Sequence, residues 1–213
     1  MKKASKPKKL GITRIQDKEN IKLFLKRAWH FIWEEDSVWS WLANIVIAFV
    51  LIKFIVYPGL GFLLSTTHPI VAVVSSSMEH PSNFEKWWEQ HKEFYKEYEI
   101  TKEKFVQYNF PNGFNKGDIM LLKGVKPNNI KIGDVIVFNG GKSDPIIHRV
   151  INLWKENDVY YIQTKGDNNA RSIAGLETRI KEDAIIGKAV FRVPLLGYIK
   201  IWFVQIIQLL VYR

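Results

Sequence analysis

The chain has 213 residues, 47% of them hydrophobic, with eight tryptophans and a net charge of +10. That is enough apolar material for one medium-sized domain with accessory segments, and it excludes a disordered protein. The absence of cysteine excludes disulfides and cysteine-based metal sites, so packing alone must hold the fold.

The positive charge is unevenly placed: Lys2, Lys3, Lys6, Lys8, Lys9 and Arg14 precede the first acidic residue. Such a run suits phosphate backbones, but beside an apolar segment it fits better as a cytoplasmic anchor facing anionic lipid. No nucleic-acid partner is therefore expected. From Asn20 to Glu35, Ile21, Leu23, Phe24, Ala28, Trp29, Phe31, Ile32 and Trp33 interleave with Lys22, Lys26 and Arg27, as in an amphipathic helix lying among lipid headgroups. Residues 1–38 thus read as a basic cytoplasmic tail and an amphipathic segment.

Residues 39–64 read as a transmembrane helix. They supply the roughly 20 mainly apolar residues that a span requires, with Lys53 as the one charge. A removable signal peptide starts earlier and has a shorter apolar core. Lys53 is expected to snorkel or pair, and Pro58 and Gly59 to break the helix near its exit.

Residues 65–193 read as an extracytoplasmic β domain. Its first strand covers Pro69 to Ser75, a β-branched run ending in Ser75-Ser76-Ser77-Met78. An insertion follows at 82–115, where Trp87, Trp88, His91, Tyr95 and Tyr98 recur at helical spacing, with a second helix expected after Thr101. It is expected to pack on the domain, with a lid or interfacial paddle as the other reading. Gly117 to Gly124 and Gly133 to Gly141 are apolar runs opened by Gly-Asp and closed by glycine. Strands over Ile146 to Trp154, Val159 to Thr164 and Ile185 to Val193 complete a mainly β fold, a partly open antiparallel barrel or sandwich. Residues 194–213 form an apolar C-terminal helix, either a second span or an interfacial helix.

For chemistry, a serine hydroxyl needs a neighbour to take its proton, and histidine suits this near neutral pH. Of the five histidines only His148 lies inside a predicted strand. A lone histidine on an apolar face is more often a core residue, Gly166-Asp167-Asn168-Asn169 is turn chemistry in its own right, and a triple serine equally ends a strand. On residue types and spacing alone the structural readings are the better guess.

Taken in order behind an N-terminal span, Ser75-x-Ser77-Met78, Gly133-Asp134-Val135-Ile136-Val137, Pro145-Ile146-Ile147-His148-Arg149-Val150-Ile151 and Lys165-Gly166-Asp167-Asn168-Asn169 resemble type I signal peptidases. The likeness is to the archaeal and endoplasmic-reticulum type, in which histidine stands where the bacterial enzymes carry lysine. It covers about Val46 to Gly197 apart from the insertion. It implies a membrane-bound serine endopeptidase that removes signal peptides from exported preproteins after small residues. It implies Ser77 as nucleophile, His148 as general base and Asp167 as acidic partner. The Ser77 backbone N–H and the Ser75 hydroxyl would hold the oxyanion, and the strand before the serine, with Val73, Val74 and Met78, would wall the substrate pockets.

Two departures from the family pattern stand out. His80 replaces the usual proline two residues after Met78. Where relatives carry a further aspartate, this chain has Arg171-Ser172-Ile173 and no acid until Glu177, so either Asp167 alone serves His148 or Glu177 reaches in. No metal or organic cofactor is expected. Expected partners are preprotein signal peptides, the lipid membrane and the protein-translocation machinery, with the chain integral to the cell membrane, its N-terminus cytoplasmic. The competing reading is a non-catalytic membrane-anchored β domain that binds exported chains or the translocation machinery.

Overall fold

A computed structural model describes residues 12–141 and 144–211, and the lysines at positions 2–9 lie outside them. The chain divides into two units, residues 1–58 and 59–213.

In the first unit, α1 (Ile12–Trp33) is already helical at the first described residue, eight residues before the expected Asn20, and its last turn is linked by residues 34–37 to α2 (Val38–Leu63), whose last five residues belong to the second unit. Ser37 caps α2 by accepting from the Ser40 N–H at 3.1 Å. The Asn44 side-chain amide donates to the Ile32 carbonyl at 2.9 Å and ties the two helices together. At about 1.5 Å per residue, α2 is about 39 Å long, more than the ~30 Å hydrocarbon core. Pro58 does not end it, contrary to the sequence expectation. Residues Ile52–Val56 form a π-helical turn, with the Tyr57 N–H bonded to the Ile52 carbonyl. This widening makes room for a ring that lacks an N–H and would otherwise strike the carbonyl four residues back. Lys53 finds aromatic partners, with Nζ 5.7 Å from the Phe49 ring centre and 5.4 Å from that of Phe54.

Among its described residues, the second unit holds an antiparallel sheet of seven strands: β1 (Ile70–Ala72), β2 (Ile119–Lys123), β3 (Val135–Phe138), β4 (Ile146–Glu156), β5 (Val159–Lys165), β6 (Ile180–Lys181) and β7 (Ile185–Val193). Their order is β1-β2-β7-β3-β4-β5-β6. Bulges in the β2–β7, β3–β7 and β4–β5 pairings add local twist, and the sheet curls into a half-barrel. The Gly-Asp openings work as turn chemistry. Gly117 and Gly133 adopt φ +90° and +92°, while the Asp118 and Asp134 carboxylates accept the N–H groups of Asn115 and Lys131. Asn157 and Asp158, at φ +50° and +64°, close the β4–β5 hairpin. The two-residue β6 is too short to leave a periodic signal in the sequence.

The core has three parts. Val73, Met78, Phe114, Met120, Leu122, Val135 and Val137 pack between β1 and its neighbours, and Ile136, Phe138, Val150 and Ile162 form a second cluster. The third belongs to the insertion. Its helices α3 (Phe84–Lys96) and α4 (Lys102–Phe105), capped by Asn83 and Thr101, bury Trp87, Trp88, Tyr95 and Phe105 against Ile151 of β4. The insertion is thus packed on the domain. The C-terminal helix α5 (Tyr198–Val211) has 14 described residues, about 21 Å of helix against the ~30 Å of a bilayer core.

Candidate active site

The serine segment leaves β1 under firm anchoring. Val73 exchanges bonds with Asp118 and Gly117 at 2.8 Å each, and the Phe114 N–H donates to the Met78 carbonyl at 3.0 Å. Strand alternation turns Val73 into the core and Val74, 45% exposed, outward. Met78 is also fully buried. Ala72 and Val74, not Val73 or Met78, line a cleft of about 300 Å³ whose other walls include Ser75, Ser77, Ile146 and His148.

Within that cleft Ser77 Oγ lies 2.9 Å from His148 Nε2, and Ser75 Oγ is 3.1 Å from Ser77 Oγ. His148 sits on β4 opposite Ile136 of β3, so regular sheet pairing fixes its backbone. Its other ring nitrogen, Nδ1, bonds the Glu177 carboxylate. Glu177 is completely buried and is itself held by the Ile173 N–H at 2.8 Å and the Thr164 hydroxyl at 3.2 Å. Serine, histidine and glutamate therefore form a continuous hydrogen-bonded row.

Asp167 stands elsewhere, on the opposite face of β4. His148 and Arg149 are neighbours on the strand, so they project to opposite sides. It is Arg149 that meets Asp167, through Nε at 2.9 Å and Nη2 at 2.7 Å. The carboxylate also accepts from Tyr95 Oη at 3.1 Å and His80 Nε2 at 3.2 Å. Burial alone would raise Asp167, but the Arg149 guanidinium and the His80 bond override it and hold the carboxyl well below the usual range. Arg149 is fully buried and spends its remaining donors on the carbonyls of Asn109, Phe110 and Gly133.

The turn that carries Asp167 still touches the serine. The Asn168 N–H donates to the Ser77 carbonyl at 2.8 Å, the Asn168 side chain to the Ser76 carbonyl at 3.1 Å, and the Asp167 N–H to Met78 Sδ at 3.3 Å. Gly166 passes so close that a Cβ there would lie 2.8 Å from both His148 Nε2 and the Ser77 carbonyl oxygen.

Arg149, His80, Tyr95 and Asn168 received no role from the sequence. Arg149 had a usable signal, because an arginine in a buried strand needs a carboxylate partner. Among the described residues, no cluster of His, Asp and Glu has the arrangement of a metal site. The row of hydroxyl, imidazole and carboxylate is the arrangement that activates a serine for acyl transfer.

No family model matches the chain. It is similar to the signal peptidase complex catalytic subunit SEC11 of Scheffersomyces stipitis, 27% identical over 154 residues (70% of this chain and 73% of that protein). The same subunit from Candida tropicalis is 29% identical over 155 residues, covering 70% and 73%. That from Saccharomyces cerevisiae is 30% identical over 156 residues, covering 70% and 74%. The chain also carries a helix long and apolar enough to cross a membrane, and with that identity over that length it belongs to the type I signal peptidases of the endoplasmic-reticulum type, a family of serine endopeptidases.

Proposed function

We propose that Ser77, His148 and Glu177 carry out the cleavage, with Ser77 as nucleophile, His148 as general base and Glu177 as the carboxylate that orients it. The observation that carries this reading is the 2.9 Å contact from Ser77 Oγ to His148 Nε2, with Glu177 on the far ring nitrogen. An anionic Glu177 accepts a hydrogen from Nδ1, which leaves the Nε2 lone pair facing the serine hydroxyl.

The substrate is a preprotein signal peptide. Its extended segment pairs with β1, which is an edge of the sheet, and the small residue before the cut sits in the cleft beside Ala72 and Val74. Ser77 Oγ attacks the scissile carbonyl carbon while its proton passes to His148 Nε2. The tetrahedral oxyanion is held by the Ser77 N–H and the Ser75 hydroxyl, a donor of the kind whose loss typically costs about 2.7–4 kcal/mol of transition-state stabilisation. Collapse expels the amine of the mature protein, which takes the proton from His148, and leaves the signal peptide esterified to Ser77. Water then attacks the ester, gives its proton to His148, and Ser77 departs with it. Asp167 acts at one remove, as the counter-charge of Arg149.

The basic N-terminal residues place the N-terminus on the cytoplasmic side of the cell membrane by the positive-inside rule. The catalytic unit then faces the exterior, where the translocation machinery delivers preproteins. Wild type, Ser77→Ala and His148→Ala should be incubated with a labelled preprotein in lipid and any cut mapped by mass spectrometry. Cleavage by the wild type alone, after a small residue, supports the reading. Equal cleavage by all three would refute the roles of Ser77 and His148, and cleavage by none would favour a non-catalytic binding domain.

A further inference from the structure

None of these steps uses the helical insertion, yet its side chains converge on the turn behind the serine. From α3, Tyr95 Oη donates to Asp167. The rings of Phe94 and Tyr95 lie 5.2 and 4.9 Å from Lys165 Nζ, which donates to the Gly166 and Asp167 carbonyls at 3.1 Å each. The carbonyls of Asn109 and Phe110 take two of the Arg149 donors.

His80 completes the enclosure from the serine side. Its ring stacks on Trp87, with centroids 3.6 Å apart and planes 10° from parallel, while Nε2 meets Asp167. Its Nδ1 is buried with no partner among the described residues. A hydrogen on that atom would be a buried unsatisfied donor, so the hydrogen belongs on Nε2, where it is donated to Asp167. Burial and the neighbouring Asp167 charge both push the Tyr95 hydroxyl upward, which keeps it a donor as well.

We propose that the insertion is a positioning element for the nucleophile, with Tyr95 and His80 as the positioning residues that fix Asp167 and, through its turn, Ser77. Donors from α3, β4 and the serine segment leave the Asp167 carboxylate one orientation. The turn hands that orientation on through the Asn168 bonds to the carbonyls of Ser76 and Ser77 and the Asp167 N–H bond to Met78. Gly166, in the same turn, lies against His148 Nε2. A small displacement of this turn therefore changes the distance between nucleophile and base, while Ala72, Val74 and Ile146 of the cleft belong to other segments and Asn169 is the cleft residue that the turn itself carries. The expected signature is a change in kcat without a change in KM.

This inference rests on the catalytic reading above, so the assay includes its control. Full-length wild type, Ser77→Ala, Tyr95→Phe, His80→Ala and His80→Gln are compared in lipid, below the unfolding midpoint measured for each. Tyr95→Phe and His80→Ala should lose on the order of tenfold or more in kcat with KM unchanged, as for a catalytic group slightly misplaced. His80→Gln, whose side-chain N–H can again donate to Asp167, should recover most of that loss. Wild-type kcat in folded Tyr95→Phe and His80→Ala overturns the inference alone, even if their melting temperatures fall. Should Tyr95→Phe not fold, a failure of His80→Gln to exceed His80→Ala overturns it instead. If wild type and Ser77→Ala cut alike, the catalytic reading falls and this inference with it.

Discussion

Replacing Glu177 by glutamine keeps the shape of the side chain but exchanges one acceptor oxygen for a donor. The Ile173 N–H, 2.8 Å from Oε2, needs an oxygen opposite it, so the amide must turn its NH2 towards His148 Nδ1. Facing a donor, Nδ1 gives up its hydrogen, which moves to Nε2, and the ring then has no lone pair for the Ser77 proton. The same wrong-tautomer effect in a serine protease triad lowers kcat by about 10⁴, so Glu177→Gln is expected to lose roughly 10³ to 10⁴, or about 4–5.5 kcal/mol of barrier. Folding should suffer far less, because the Ile173 bond survives and the Thr164 hydroxyl can rotate to accept. The assay is single-turnover cleavage of a labelled preprotein in lipid, with circular dichroism as the check on folding. Near-wild-type rates in folded Glu177→Gln would refute the orienting role of Glu177. A simultaneous complete loss in folded Asp167→Asn would transfer that role to Asp167.

Three further outcomes are expected. Asp167→Asn leaves the buried Arg149 without its counter-charge and should cost about 3–5 kcal/mol in urea unfolding at neutral pH. Because the Asp167 carboxyl is held below its ordinary 3.8, the stability it contributes is present above that value and lost as the pH falls through the folded one. The gap between wild type and variant should therefore narrow only below about pH 4, and a gap that closes by neutral pH would contradict the pairing. Burial brings the Lys165 ammonium down to about 8, against the attraction of Asp167, so between that value and the ordinary 10.5 the unfolded chain binds more protons. Stability should then rise by about 1.5 kcal/mol between roughly pH 8 and 9.5 in wild type relative to Lys165→Met, measured from urea midpoints, and parallel curves would exclude the effect. Gly166→Ala should abolish most cleavage while costing about 1–3 kcal/mol of stability, since its Cβ would stand 2.8 Å from His148 Nε2 and the Ser77 carbonyl; an active, folded variant would show that the turn yields without disturbing the pair.

The 26-residue helix Val38–Leu63, the strands opened by Gly117-Asp118 and Gly133-Asp134, and the helix over Phe84–Lys96 are legible in the sequence. Each is set by contiguous residues: an apolar run, a turn residue followed by a β-branched run, an aromatic stripe at helical spacing behind an asparagine cap. The two-residue β6 and the passage of α2 through Pro58 are not legible, the first because it has no period, the second because a π turn absorbed the ring. At the site, Ser77 and His148 could be picked out by type and motif. Which carboxylate stands beside His148 could not, because that depends on how β4 presents its two faces. Alternation sends His148 to the cleft and Arg149 to the other side, where the cost of burying an unpaired guanidinium holds Asp167 among four donors. The His148 side is left to Glu177, which the Ile173 N–H and the Thr164 hydroxyl hold in place.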